Sequence, residues 1–157
     1  MKSNSEIYNV ASSFLNIAEL AKDKAIEIDV FLAAFNANLA FSIELYIKSL
    51  DAKSFEKLDL EVGSAKFYSS YAQSNIKGHL LNKCFNTLPG KIQNELSKRF
   101  KNHQYNVTCS PLIKVLENVN DHFVTARYAF ERDNHLSDND SDVLLFLARF
   151  FRDELRP

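Results

Sequence analysis

Four histidines, His79, His103, His122 and His135, are the side chains best suited to moving a proton near neutral pH. They are scattered along the chain without the short, fixed spacings that metal ligands on one helix or turn require. Asp138, Asp140 and Asp142 alternate, but the residues between them are wrong for a calcium loop, and they read as the acidic start of a solvated helix. Cys84 and Cys109 show no CxxC spacing and read as reduced, buried thiols of a cytosolic protein. No Gly-rich phosphate loop or Walker motif is present. No metal and no cofactor is therefore expected.

Other polar groups stand out by position. Glu44 and Lys48 are an i,i+4 pair in the favourable order for a helical ion pair. Asn38 and Glu44 interrupt an apolar helix and read as a buried polar network that holds its register. His79 sits at a helix start, where it would cap or pack on that central helix. His122 lies beside an apolar stripe, and His135 falls in a polar loop. Lys98, Arg99 and Lys101 crowd one helix end; they could touch RNA, or simply answer the negative end of the dipole. Arg127 is four residues before Glu131, a second helical ion pair or a loop-fixing contact. His79, Asn38, Glu44 and Arg99 are the candidate ligand-binding side chains.

The elements that must position these groups are mostly helical. With 157 residues the chain suits one domain, 1–157, able to fold without disulfide or metal. Only three Gly and three Pro occur, too few for the turns of a sandwich or barrel, while 13 Phe and no Trp point to a Phe-rich helical core. A first helix is expected from about Ser5 to Lys22, with Ile7, Val10, Phe14, Ile17 and Ala21 inward and Ser3 or Ser5 as cap. A second, from about Ala25 to Leu50, is apolar on two faces and should be central. Its stripes are Leu32, Phe35, Leu39, Ile43, Tyr46, Leu50 and Phe31, Ala34, Phe41, Leu45. The segment 51–77 loses helical period and reads as a small β-hairpin or ordered loop inserted between helices. Gly78-His79 opens a third helix, which Pro89-Gly90 ends before a fourth. Ser110-Pro111 starts a long helix to about Arg132, and a last helix begins near Asp140 or Ser141. The expected fold class is all-α, an up-and-down bundle of four to five helices.

Three separated pieces resemble the HEPN-domain family. Asn38-Leu39-Ala40-Phe41-Ser42-Ile43-Glu44-Leu45-Tyr46-Ile47-Lys48-Ser49-Leu50 is similar to its central-helix signature. Gly78-His79-Leu80-Leu81, followed by Phe85 and Leu88-Pro89, resembles the step that opens its next helix, and Phe123-Val124-Thr125-Ala126-Arg127-Tyr128 its late Arg-Tyr step. The resemblance implies a helical bundle, commonly a homodimer, often from bacterial or archaeal toxin–antitoxin and antiviral systems. It also implies that active members are metal-independent ribonucleases carrying an Arg, four to six residues, then a His. RNA brings its own nucleophile, the 2′-hydroxyl; a His can move the proton and an Arg can neutralise the phosphorane. Arg127 and His135 are the candidate catalytic pair, with seven intervening residues, one more than the motif.

The net charge of −1 supplies no global field for nucleic acid, and no apolar run long enough to cross a membrane is present. The N-terminal residues lack the pattern of a signal peptide, so a cytoplasmic protein is expected. The leading expectation is a HEPN-like module that dimerises. It would bind a partner protein, such as an antitoxin, or a nucleotide or RNA ligand in a defence context. A homodimeric endoribonuclease using Arg127 and His135 is the alternative, and a structural scaffold domain the second.

Overall fold

A computed structural model describes residues 2–27, 31–127 and 138–157. The first helix, α1 (Ser5–Glu27), is started by Asn4, not by a serine. The Asn4 Oδ1 accepts the amide hydrogens of Glu6 at 3.1 Å and Ile7 at 3.2 Å, an asparagine N-cap. Ser3 turns the other way, and its hydroxyl donates to the Leu155 carbonyl at 2.5 Å, tying the two chain ends together. The buried stripe of α1 is Tyr8, Ala11, Leu15 and Ala18, one position on from the expected stripe; Val10 and Ile17 are exposed. Small residues decide this. Ala11 and Ala18 let α1 lie close to α2 (Leu32–Ser49), close enough for Ser42 Oγ to donate to the Ala11 carbonyl at 2.8 Å. Ser12 Oγ and Tyr46 Oη share a second bond, 2.9 Å long.

α2 is the central helix, packed on α1 and on three helices introduced below. It starts at Leu32, not Ala25, because α1 continues to Glu27.

The all-α expectation is corrected by the next segment. β1 (Lys53–Val62) and β2 (Ala65–Gln73) form an antiparallel two-stranded hairpin that turns at Gly63, whose φ of 60° suits glycine. β-branching is not what makes these strands. Alternating polar and apolar residues on both sides of a Gly-Ser turn do.

Beyond the hairpin come α3 (Leu81–Thr87) and α4 (Gly90–Lys101), separated by the expected Pro89-Gly90 break. α3 buries Leu81, Cys84 and Phe85; α4 buries Leu96 and Phe100. The expected long helix from Ser110 is instead two, α5 (Leu112–Asn118) and α6 (His122–Arg127). The break has a use. Asn120 accepts the Leu81 amide hydrogen on its carbonyl at 3.4 Å and that of Asn82 on Oδ1 at 2.9 Å, so it caps α3 from outside. Tyr128, Arg132 and His135 lie outside the described residues.

The last helix, α7 (Asp138–Glu154), buries Leu144, Leu147, Phe150 and Phe151 against α2 and α1. One hydrophobic cluster joins all these helices except α6, whose Phe123 packs against its edge. The architecture is therefore mixed: seven helices and one hairpin among the described residues. No described helix is long and apolar enough to cross a membrane.

Candidate functional site

Burying a carboxylate on a helix that is enclosed on several sides costs several kcal/mol unless the charge is answered. Glu44 of α2 is 1% exposed and is answered twice. Lys48, one turn on, donates from Nζ to Glu44 Oε1 at 2.7 Å. The Nδ1 of His79 lies 3.1 and 3.2 Å from the two carboxylate oxygens. A carboxylate only accepts, so Nδ1 carries the hydrogen, which in a neutral imidazole leaves Nε2 as the acceptor. The His79 side chain is 49% exposed. The dyad therefore has a buried anchor and a ring open to solvent.

The loop before α3 delivers His79. Gly78 has a φ of 86°, which a side chain would strain, and its carbonyl accepts from Lys48 Nζ at 3.0 Å. Lys48 thus ties the loop to the same carboxylate that holds the imidazole. The Cys84 thiol reaches the same carbonyl at 3.7 Å. Its pKa is pushed up, first by burial and then by the negative charge of Glu44, so it stays a neutral thiol in the middle of this group.

Phe123 of α6 links His79 to an arginine. Its ring stacks on Phe41 of α2, centroids 4.9 Å apart, and the His79 ring centre lies 5.2 Å away. The Arg127 guanidinium sits 5.2 Å from the Phe123 centroid, a cation–π contact. His79 and Arg127 are thus within twice that distance of each other, one proton acceptor and one fixed positive charge on the same aromatic ring.

The structure brings three candidates together, Glu44, His79 and Arg127, and separates the others. Asn38 does not join Glu44 in a network; its amide donates to the Ala34 carbonyl of its own helix at 2.8 Å. The asparagine buried in α2 is Asn36, fully enclosed, with neither amide atom hydrogen-bonded. Arg99 belongs to a different group. It donates to Glu154 at 2.7 Å and to Glu95 at 2.5 Å, clasping α4 to α7, and those carboxylates raise its pKa. His122 lies 3.4 Å from Asp140 and is nearly buried. Cys109, expected to be buried, is exposed. His135 falls outside the described residues.

Sequence reasoning missed the part played by Phe123, because a Phe on an apolar stripe reads as core. It also missed the Lys48–Gly78 bond, which no local pattern announces. A groove of ≈ 750 Å³ between α1 and the end of α7, lined by Tyr8, Asn9, Ser12 and Arg152, holds none of these candidates. Among the described residues no three His, Cys, Asp or Glu side chains converge to hold a metal ion.

No protein-family model matches the chain, and neither does any curated protein or solved structure.

Proposed function

We propose that this chain is a HEPN-like module that dimerises and binds a phosphate-bearing ligand, a nucleotide or RNA, where His79 and Arg127 flank Phe123. The observation that supports it is the anchoring of a half-exposed imidazole on buried Glu44, next to an arginine held on an aromatic face. Such a surface sets side by side the group types that recognise phosphate, base and hydroxyl: a guanidinium, an aromatic ring and an imidazole. The setting, bacterial defence or toxin–antitoxin, rests on the resemblance of three sequence pieces alone. Titration calorimetry with mononucleotides and short single-stranded RNAs tests the reading. Micromolar binding that His79→Ala and Arg127→Ala each weaken at least about tenfold is expected. Binding that neither variant changes would overturn it.

A second reading is favoured by the tautomer. With Nδ1 anchored, His79 Nε2 is placed as a general base for a 2′-hydroxyl, and Arg127 can neutralise the charge developing on phosphorus. In that endoribonuclease the partner of Arg127 is His79, with no demand on His135. RNA cleavage by the pure protein in the presence of a chelator, lost in His79→Ala and kept in His135→Ala, is the expected result.

A further inference from the structure

The hairpin carries an uncommon combination of features. A two-stranded ribbon is marginally stable alone, yet all ten residues of β1 and seven of the nine in β2 are exposed. The register explains which side is apolar. Phe55 pairs with Tyr71, Leu58 with Tyr68, then Leu60 with Phe67 and Val62 with Ala65, because a bulge falls between Leu58 and Leu60. Directly paired residues share a face, and the bulge switches the strand's parity. Leu60 and Val62 thereby join Phe55, Phe67 and Tyr71 on one face, each of these five between 42% and 60% exposed, with the Lys57–Ser69 pair between them and Lys53–Gln73 at its end. The opposite face carries Glu56, Glu61, Lys66 and the Leu58–Tyr68 pair.

The two outer edges differ. β1 holds Lys53, Glu56, Lys57, Asp59 and Glu61 as well as the bulge, the devices that keep an edge from pairing. β2 has a single charge, Lys66, and no Pro, Gly or bulge of its own over nine residues. It is an unprotected edge.

We propose that the β2 edge pairs antiparallel with β2 of a second copy of this chain, about a two-fold axis at Ser69, giving a four-stranded sheet in the order β1-β2-β2-β1. β2 is self-complementary in that register. Phe67 falls opposite Tyr71 of the second copy, twice by symmetry, both on the apolar face; Tyr68 meets Ser70, and Ser69 meets Ser69. No like charges oppose each other. Lys66 falls opposite Ala72 of the second copy, on the face that leans on α1. There Glu6, Ile7, Val10, Leu45 and Ala72 line a hollow of ≈ 210 Å³. Lys66, 3.8 Å from Glu61 in its own hairpin, there meets a second carboxylate in Glu6 of the other copy. Pairing turns two marginal ribbons into one sheet and brings the Phe67 and Tyr71 rings of both copies onto one face, around the central serines. This deepens the dimeric part of the reading above and is independent of the ligand.

Charge swapping at the axis tests it. Ser69→Lys and Ser69→Glu each place like charges directly opposite and should each weaken dimerisation about threefold to fivefold. An equimolar mixture of the two should restore it, which no merely misfolded hairpin would do. Nitroxide labels in a Cys109→Ser background supply a second measurement. Labels at Ser69→Cys should lie close together, while labels at Ser64→Cys should lie about 34 Å apart, ten residues of antiparallel offset. A dimer that neither charge variant weakens, or a label distance shorter at position 64 than at 69, overturns the hairpin interface while leaving a dimer. A wild-type chain that scatters light as a monomer at high micromolar concentration overturns both the interface and the dimeric reading, without touching the ligand site.

Discussion

Two histidine–glutamate pairs in this molecule use the same residue types to different ends. His79 meets Glu44, and His103 meets Glu154. Glu44 is buried in the central helix and spends both oxygens on a half-exposed imidazole and on Lys48. Glu154 is 20% exposed and is already held by Arg99 at 2.7 Å, so its contact with His103 Nε2 is a loose 3.7 Å. The His103 ring packs among Tyr105 and Phe150 and is 16% exposed. One pair anchors a ring that faces outward; the other fills the seam between α4 and α7. Residue identity does not make a site. The depth of the carboxylate and the exposure of the imidazole do.

The strongest way to break this comparison is to remove the two carboxylates. Glu44→Ala leaves Lys48 and His79 without their common partner and should cost about 2–4 kcal/mol of stability in urea unfolding. Glu154→Ala should cost less than about 1 kcal/mol, since Glu154 is itself 20% exposed and Arg99 keeps a second carboxylate in Glu95. Equal losses would erase the distinction. Next in size is ligand affinity. His79→Ala should weaken the proposed nucleotide or RNA binding about tenfold, roughly 1.4 kcal/mol, whereas His103→Ala should leave calorimetric affinity unchanged.

Alkaline titration sharpens the contrast between the buried core on both sides of α2 and the exposed clasp. Burial raises the Tyr46 pKa from 10.0 to about 12, and burial with Glu44 raises that of Cys84 above 9.0. Both are acids whose folded form holds its proton longer than the unfolded chain does. Their contribution is complete below the unfolded values and is lost as pH rises beyond them. Unfolding free energy should therefore fall between pH 10 and 12 by about 1 kcal/mol per unit for Tyr46 alone. Tyr46→Phe should flatten that slope. Iodoacetamide at neutral pH should modify exposed Cys109 and spare Cys84. The smallest effect belongs to Arg99→Ala, under about 1 kcal/mol and shrinking with added salt, with ligand affinity untouched.

Much of the helical scaffold was legible from apolar spacing. The α2 stripe of Phe35, Leu39, Ile43 and Tyr46 is buried as expected, whereas Phe31 and Ala34 of the second stripe are exposed and Phe41 and Leu45 only partly buried; Pro89-Gly90 marked the break between α3 and α4. Errors arose where spacing alone could not choose. On α1 two adjacent stripes were each consistent with a helix, and close approach through Ala11 and Ala18 selected the one containing Tyr8. The long helix expected from Ser110-Pro111 ran through a position where the chain leaves the helix, because Asn120 is needed by the first residues of α3.

For the candidate site, the sequence by itself determined that Glu44 and Lys48 would sit one turn apart on a central helix, and that a Gly-His step would precede the next. Those are local facts, carried by a period of 3.6 residues and by the freedom of glycine at positive φ. Only the tertiary structure decided that His79, thirty-five positions away, would close on Glu44, and that Phe123 would carry Arg127 to the same place. Such meetings depend on how helices pack across the core. Side chains spaced far apart in sequence leave no periodic trace of the partner they will find.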